Sequence, residues 1–151
     1  RMCIRDRNIA KSVATTGQLF PGAIAQALVM SPAFEKSNPE AAQRFVLAFM
    51  HGMRDYYHAM IKGDADKGPV IQALINHTAV KDPALYSVIG LSAVDPNGTM
   101  DAKSWDVFQD YFIKIGVQKT KIDLSKYIDM TLTNAAVDKL GREAFTPPPC
   151  C

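Results

Sequence analysis

The apolar positions of this chain fall into helix-length stripes separated by proline, glycine and aspartate. The longest stripe opens at Asn38-Pro39-Glu40, where proline suits a first helical turn, and it stops at Gly63. Within it Ala42, Phe45, Val46, Phe49, Met53, Tyr56, Tyr57 and Met60 recur at steps of three and four, which predicts one amphipathic helix to about Lys62 with these side chains on a core. Gln43, Arg54, Asp55, His58 and Lys62 fall on the other face and are expected in solvent.

Shorter patterns flank it. The apolar run Ala23–Met30 follows the Pro21-Gly22 breaker and reads as a buried strand, although its alanine content also allows a helix, and Ser31-Pro32 opens a short helix that carries Phe34 inward. Val70, Ile71, Leu74 and Ile75 define a helix fading near Thr78, and Asp82-Pro83 caps a turn of helix bearing Leu85 and Tyr86. Asp95-Pro96-Asn97-Gly98 has the chemistry of a tight turn, with proline presetting one dihedral and Asn-Gly accepting positive φ. Asp101 caps a helix whose Trp105, Phe108, Phe112 and Ile115 form another inward stripe. After a loop with one helical turn between Asp123 and Ile128, Thr133 caps a last helix that ends at Gly141 with Ala136 and Leu140 inward. The sum is about six helical pieces, one strand and no internal repeat.

Composition narrows the classes. A chain of 151 residues, 48% hydrophobic and 21% charged, has the balance of one globular unit. Its formal charge of +2 comes from interspersed signs with no cationic block, which argues against nucleic acid as a partner. No apolar stretch approaches the roughly 20 residues of a membrane span. Residues 1–7 have no periodicity and look like translated adapter read-through, so the native chain is expected over 8–146 of a shortened reading frame. The three cysteines, Cys3, Cys150 and Cys151, avoid the presumed core, and residues 147–151 read as a disordered tail that lacks further metal ligands nearby.

Candidate chemistry is sparse. His51 and His58 lie two helical turns apart, about 10 Å along the axis, too far to share one zinc, and both read as surface histidines. Asp95, Asn97, Thr99, Asp101 and Asp106 imitate the start of a calcium loop, but the glycine is misplaced and Asp101 is engaged as a cap. Asp55, Asp106 and Asp110 fall on polar helix faces, Asp110 within reach of Lys114 one turn on. No nucleophile motif or glycine-rich phosphate cradle occurs, and the aromatic stripes read as core. These features give no catalytic residue, no metal site and no cofactor.

The order of certain blocks adds a resemblance. Pro21-Gly22, the apolar run, Ser31-Pro32-Ala33-Phe34 and Asn38-Pro39-Glu40-Ala41-Ala42-Gln43-Arg44-Phe45 come first. Met53-Arg54-Asp55-Tyr56, His77-Thr78-Ala79-Val80-Lys81-Asp82-Pro83-Ala84-Leu85-Tyr86 and Val94-Asp95-Pro96-Asn97-Gly98 follow. Gln109-Asp110-Tyr111-Phe112, Ile122-Asp123-Leu124 and Ala135-Ala136-Val137-Asp138-Lys139-Leu140-Gly141 close the series. In content and order these resemble the solute-binding proteins of ABC importers of the nitrate/taurine/thiamine-precursor type, from about residue 10 to 143.

The resemblance implies a helix-rich α/β fold, with this chain as the C-terminal part of a two-lobed type II periplasmic binding protein. It implies capture of a small solute such as a sulfonate, nitrate or pyrimidine between the lobes, and delivery to the membrane permease subunits of the importer. A periplasmic or lipid-anchored extracytoplasmic location and a monomeric full-length protein follow from it, with no catalysis and no cofactor. Thr16, Gln18 and Phe20 would lie near the hinge and line the cleft, although this segment also suits a hinge loop that satisfies its own backbone. Where the family usually has a polar or acidic residue before the hinge aromatic, this chain has Gly17-Gln18-Leu19. Two other readings stand beside it: an enzyme of the same fold like the fungal thiamine-pyrimidine synthase, and a helical interaction module.

Overall fold

Residues 13, 14, 16–19, 24, 26–87 and 94–145 are described by a computed structural model. The α-helices, in chain order, are α1 (Thr16–Leu19), α2 (Pro32–Ser37), α3 (Pro39–Tyr56), α4 (Lys67–His77), α5 (Asp106–Lys114) and α6 (Thr131–Leu140). A π-helical segment, Tyr57–Lys62, continues α3, and three 3₁₀ turns lie at Pro83–Ser87, Ala102–Trp105 and Leu124–Lys126. Among the described residues there is no strand, and most of them are helical.

The first core forms where α3 meets α6. Val46 and Met50 on α3 lie against Ala136 and Val137 on α6, with Met30, Leu47, Met53, Leu132 and Leu140 around them. The buried row of α3 is Ala42, Val46, Met50 and Arg54, each one turn beyond the last. This centres the contact about 100° from the aromatics of the expected stripe, and Phe45 and Phe49 are 50% and 42% exposed. Phe34, expected inward, is likewise exposed.

The second core joins the end of the long helix to α4. Ala59, Met60 and Tyr86 are buried, flanked by Tyr56, Val70, Ile71, Leu74, Ile75 and Val80. Tyr86 keeps its hydroxyl paired in this apolar setting by donating to Val80 O at 3.0 Å and meeting Thr78 Oγ1 at 3.1 Å. Asp66 caps α4 by accepting from Gly68 N, and Asp82 accepts from Ala84 N at the following 3₁₀ turn.

Several expectations are corrected. Of the run Ala23–Met30, residues 24 and 26–30 are described and none is in a strand; Val29 is 88% exposed and Leu28 43%, because among the described residues no strand offers them hydrogen bonds or an apolar face. The last helix begins at Thr131 instead of after Thr133: Met130 is the N-cap position, and Asp129 Oδ1 just before it accepts from Thr131 N at 2.8 Å, pairing the first helical N–H. Asp110 pairs with Lys121, at 2.9 Å, and not with Lys114, because the loop after α5 folds back along the helix. Gln109 holds that fold-back, accepting from Ile122 N at 2.7 Å and donating to Ile122 O at 3.1 Å. Trp105 and Phe108 are half-buried, while Phe112 and Ile115 from the same expected stripe are exposed.

Candidate functional site

A dense polar cluster lies where the end of α3, the Asp95–Gly98 turn and the segment after α6 meet. The turn is built locally: Asp95 accepts from Asn97 N at 2.8 Å and from Thr99 N at 3.1 Å, Gly98 N donates to Asp95 O at 2.9 Å, and Gly98 takes φ +59°. A side chain at Gly98 would start 3.0 Å from Met50 Sδ and 3.1 Å from Thr133 Cγ2, so the absence of a Cβ lets the turn sit on the first core. Asn97 is buried and exchanges two hydrogen bonds with the backbone of Glu143, its Nδ2 donating to Glu143 O and its Oδ1 accepting from Glu143 N, both at 2.9 Å. One side-chain amide thus plays the part of a neighbouring strand.

Arg54 ties the three pieces together. It is only 8% exposed, and its guanidinium donates to Pro96 O at 2.9 Å, Leu140 O at 3.1 Å and Gly141 O at 2.6 Å. The last two are carbonyls at the end of α6, where a helix leaves its acceptors unpaired and favours a positive charge. Glu143 Oε1 lies 3.4 Å from Arg54 Nε and supplies the counter-charge. A guanidinium is suited to this place because its planar fork reaches several acceptors at once.

One turn further on, His58 meets the other oxygen of Glu143, Nε2 to Oε2 at 2.9 Å. Its Nδ1 lies 2.8 Å from Asp64 Oδ1, and Asp64 Oδ2 is 2.6 Å from Lys62 Nζ. The imidazole therefore lies between two carboxylates. The hydrogen bond to Asp64 raises its pKa most, desolvation opposes this, and Glu143 adds to the rise. Lys62, chiefly, and then His58 lower the pKa of Asp64. Tyr57 packs edge-on to both His58 and Phe145, with ring centroids 5.5 and 5.8 Å apart, giving the end of the described chain an apolar anchor.

The π-helical stretch brings these groups into place. Gly63, at φ +76°, ends it, and both Gly63 N and Asp64 N donate to His58 O, at 2.8 and 3.1 Å. The chain reverses there, so Asp64 comes back onto the histidine six positions before it. The two ring nitrogens face different carboxylates on opposite sides of the imidazole, so the carboxylates do not converge on one point. Among the described residues no group of three or more His, Cys, Asp or Glu side chains is placed to hold a metal ion. What the cluster does chemically is fasten one chain segment to another.

The sequence reading put Arg54 and His58 on a solvated face, and this is overturned. Arg54 is buried and His58 half-buried, because the segment after α6 lies along that face and supplies carbonyls and a carboxylate to meet them. The signal was present in the spacing of Arg54, His58 and Lys62, a basic residue every fourth position, but their partners at 140–143 are not local. His51 is exposed, as read. Of the residues expected at a cleft, Thr16 and Gln18 lie in α1, Gln18 exposed, and Phe20 lies outside the described residues.

The class defined so far is a mainly helical unit pinned by a charged clasp. No family model, no curated protein and no solved structure matches the chain. Among the described residues no helix is long and apolar enough to cross a membrane.

Proposed function

We propose that the chain is the C-terminal part of the solute-binding subunit of an ABC importer, a binder without catalytic activity. On this reading the full protein is an α/β type II periplasmic binding protein that encloses a small solute between two lobes outside the cytoplasm and hands it to the permease. The observation that carries the reading is the order of residue blocks from Pro21-Gly22 to Ala135–Gly141. The exposed apolar side chains Leu28, Val29, Phe34, Phe45 and Phe49 are consistent with it, since a helical layer made to lie on a sheet presents such a face when the sheet is absent. Lobe closure needs contacts from both lobes, because a ligand moves a conformational equilibrium only by its differential affinity for the two states. Thr16, Gln18 and Phe20 are the cleft residues on this reading.

The test is the coding sequence upstream of this chain. A secretion signal followed by further alternating strand and helix patterns is the expected result, and a cytosolic enzyme domain there refutes the reading. With the longer protein in hand, thermal shifts against sulfonates, nitrate and pyrimidines would identify the solute class, since a ligand selective for the native state raises the melting temperature. A helical interaction module is the second reading. It is favoured by the Arg54 clasp, whose hydrogen bonds span 86 and 87 positions and close the described helices on themselves. A sharp cooperative melt of the chain alone supports the module, and a loose or aggregating chain supports the importer subunit.

A further inference from the structure

Two hydrogen-bond acceptors flank His58, and the ring has a fixed capacity to meet them. Asp64 Oδ1 lies 2.8 Å from Nδ1 and Glu143 Oε2 lies 2.9 Å from Nε2. A neutral imidazole has one N–H, so one of its nitrogens would present a lone pair to a carboxylate; only the imidazolium donates to both. The two carboxylates differ in what they hold. Asp64 belongs to the link just after the π-helical segment, whereas Glu143 belongs to the segment after α6, far along the chain.

We infer that His58 is a proton-operated fastener, holding residues 141–145 onto the end of the long helix when its ring carries two protons and slackening them when it carries one. The geometry sets which bond yields. Asp64 retains Lys62 at 2.6 Å, so the short link stays closed, and with the remaining ring proton on Nδ1, facing Asp64, the bond that yields is the one to Glu143. Glu143 retains Arg54, but at 3.4 Å, a charge contact without the short hydrogen bond. The described charged and titratable groups around the ring are thus Asp64 and Lys62 on the near side, Glu143 and Arg54 on the far side, and Tyr57 at its edge. Arg54 keeps Gly141 tethered when His58 is neutral, while the Asn97 pair with the Glu143 backbone opens more often, so the response is local loosening at 143–145 and not global unfolding.

The sign follows from the direction of the His58 shift. A histidine whose pKa is raised on folding contributes its full stabilisation below the ordinary value of 6.5 and loses it as pH rises through the folded-state value. Each unit by which the folded value exceeds the ordinary one corresponds to about a tenfold bias toward the fastened state. The fastener is closed below 6.5 and opens as pH rises through the folded-state value, which lies above it. Burial works against the rise, so the margin depends on both carboxylates remaining in place.

The experiment uses the whole chain. The His58 ring signal is followed by NMR from about pH 5 to pH 9, together with hydrogen-exchange protection at the Glu143 amide, corrected for the intrinsic rate. The expected result is a midpoint above 6.5, with Glu143 protection falling several-fold through that midpoint. In His58→Gln the protection becomes independent of pH over this range, and in Glu143→Gln the ring midpoint moves down. A wild-type midpoint at or below 6.5, or Glu143 protection that does not change as the ring titrates, overturns the inference. So does a folded His58→Gln protein with the wild-type pH profile. Should His58→Gln not fold, the wild-type titration and the Glu143→Gln midpoint decide the matter.

Discussion

Replacing Arg54 with methionine tests whether the clasp stabilises the fold or merely decorates it. Methionine has a similar length and an apolar tip, so the cavity stays filled while all the donors disappear. Pro96 O, Leu140 O and Gly141 O would each lose a partner, and Glu143 would lose its contact to the guanidinium. An acceptor left unpaired in the interior costs about 1–3 kcal/mol. Pro96 is fully buried, and its carbonyl is assigned the upper part of that range; Gly141 is exposed, and water replaces much of what it loses. The sum is about 3–4 kcal/mol, in line with the roughly 3–5 kcal/mol found when one partner of a buried ion pair is removed. Against a total stability of about 5–15 kcal/mol this is a large fraction. In urea titrations with a slope of about 2 kcal/mol/M the midpoint should fall by about 1.5–2 M. Arg54→Lys should cost about half as much, because an ammonium keeps the charge but cannot reach three divergent carbonyls. A loss below about 1 kcal/mol for Arg54→Met, or equal losses for the two variants, refutes the assignment of the guanidinium as the central tie.

Gly98→Ala should lose about 2 kcal/mol in the same titration, from the left-handed backbone at φ +59° and from the close approach to Met50 and Thr133; an unchanged midpoint would mean that the turn relaxes freely. Met50→Ala should cost about 2–5 kcal/mol as a large-to-small change at the centre of the first core, whereas Phe45→Gln should stay within about 0.5 kcal/mol in this chain. Equal losses at the two sites would show that Phe45 is covered in solution. The pKa of Asp129 is lowered by its hydrogen bonds from Thr131, so its contribution is present above about 3.8 and disappears as pH falls through the folded-state value. Asp129→Asn should abolish that acid-side part of the melting profile, which differential scanning calorimetry between about pH 2 and pH 5 would reveal.

What the sequence made legible was local. The starts at Pro32 and Pro39, the stop at Gly63, the caps at Asp82 and Asp101 and the Asp95–Gly98 turn all follow from chemistry within a few residues, and all appear in the structure. What it concealed depends on distant partners. A periodic stripe says that a helix has an apolar face but leaves its centre uncertain, which is why Met50 was missed and Phe45 overcalled. Arg54 looked like a surface residue because its acceptors are main-chain carbonyls, and every sequence carries those. The apolar run ending at Met30 suggested a strand because a strand and an exposed apolar segment look alike until a pairing edge is found. Of the cluster itself, only the rhythm of Arg54, His58 and Lys62 was visible; that Glu143 and Asn97 complete it was not.

The distance in sequence between Arg54 and the carbonyls of Leu140 and Gly141 also has a kinetic side. Bringing together positions 86 and 87 apart carries a loop-closure entropy of about 4 kcal/mol, which short-range helices avoid. Helical turns and the second core, within residues 56–86, therefore form before the α3–α6 contact that closes this junction, and the junction belongs to the late, downhill side of the folding barrier. Weakening it should leave the refolding limb of a chevron nearly unmoved while steepening the rate of escape from the native state. The guanidinium thus governs how long the folded molecule lasts and has little say in how quickly it is reached.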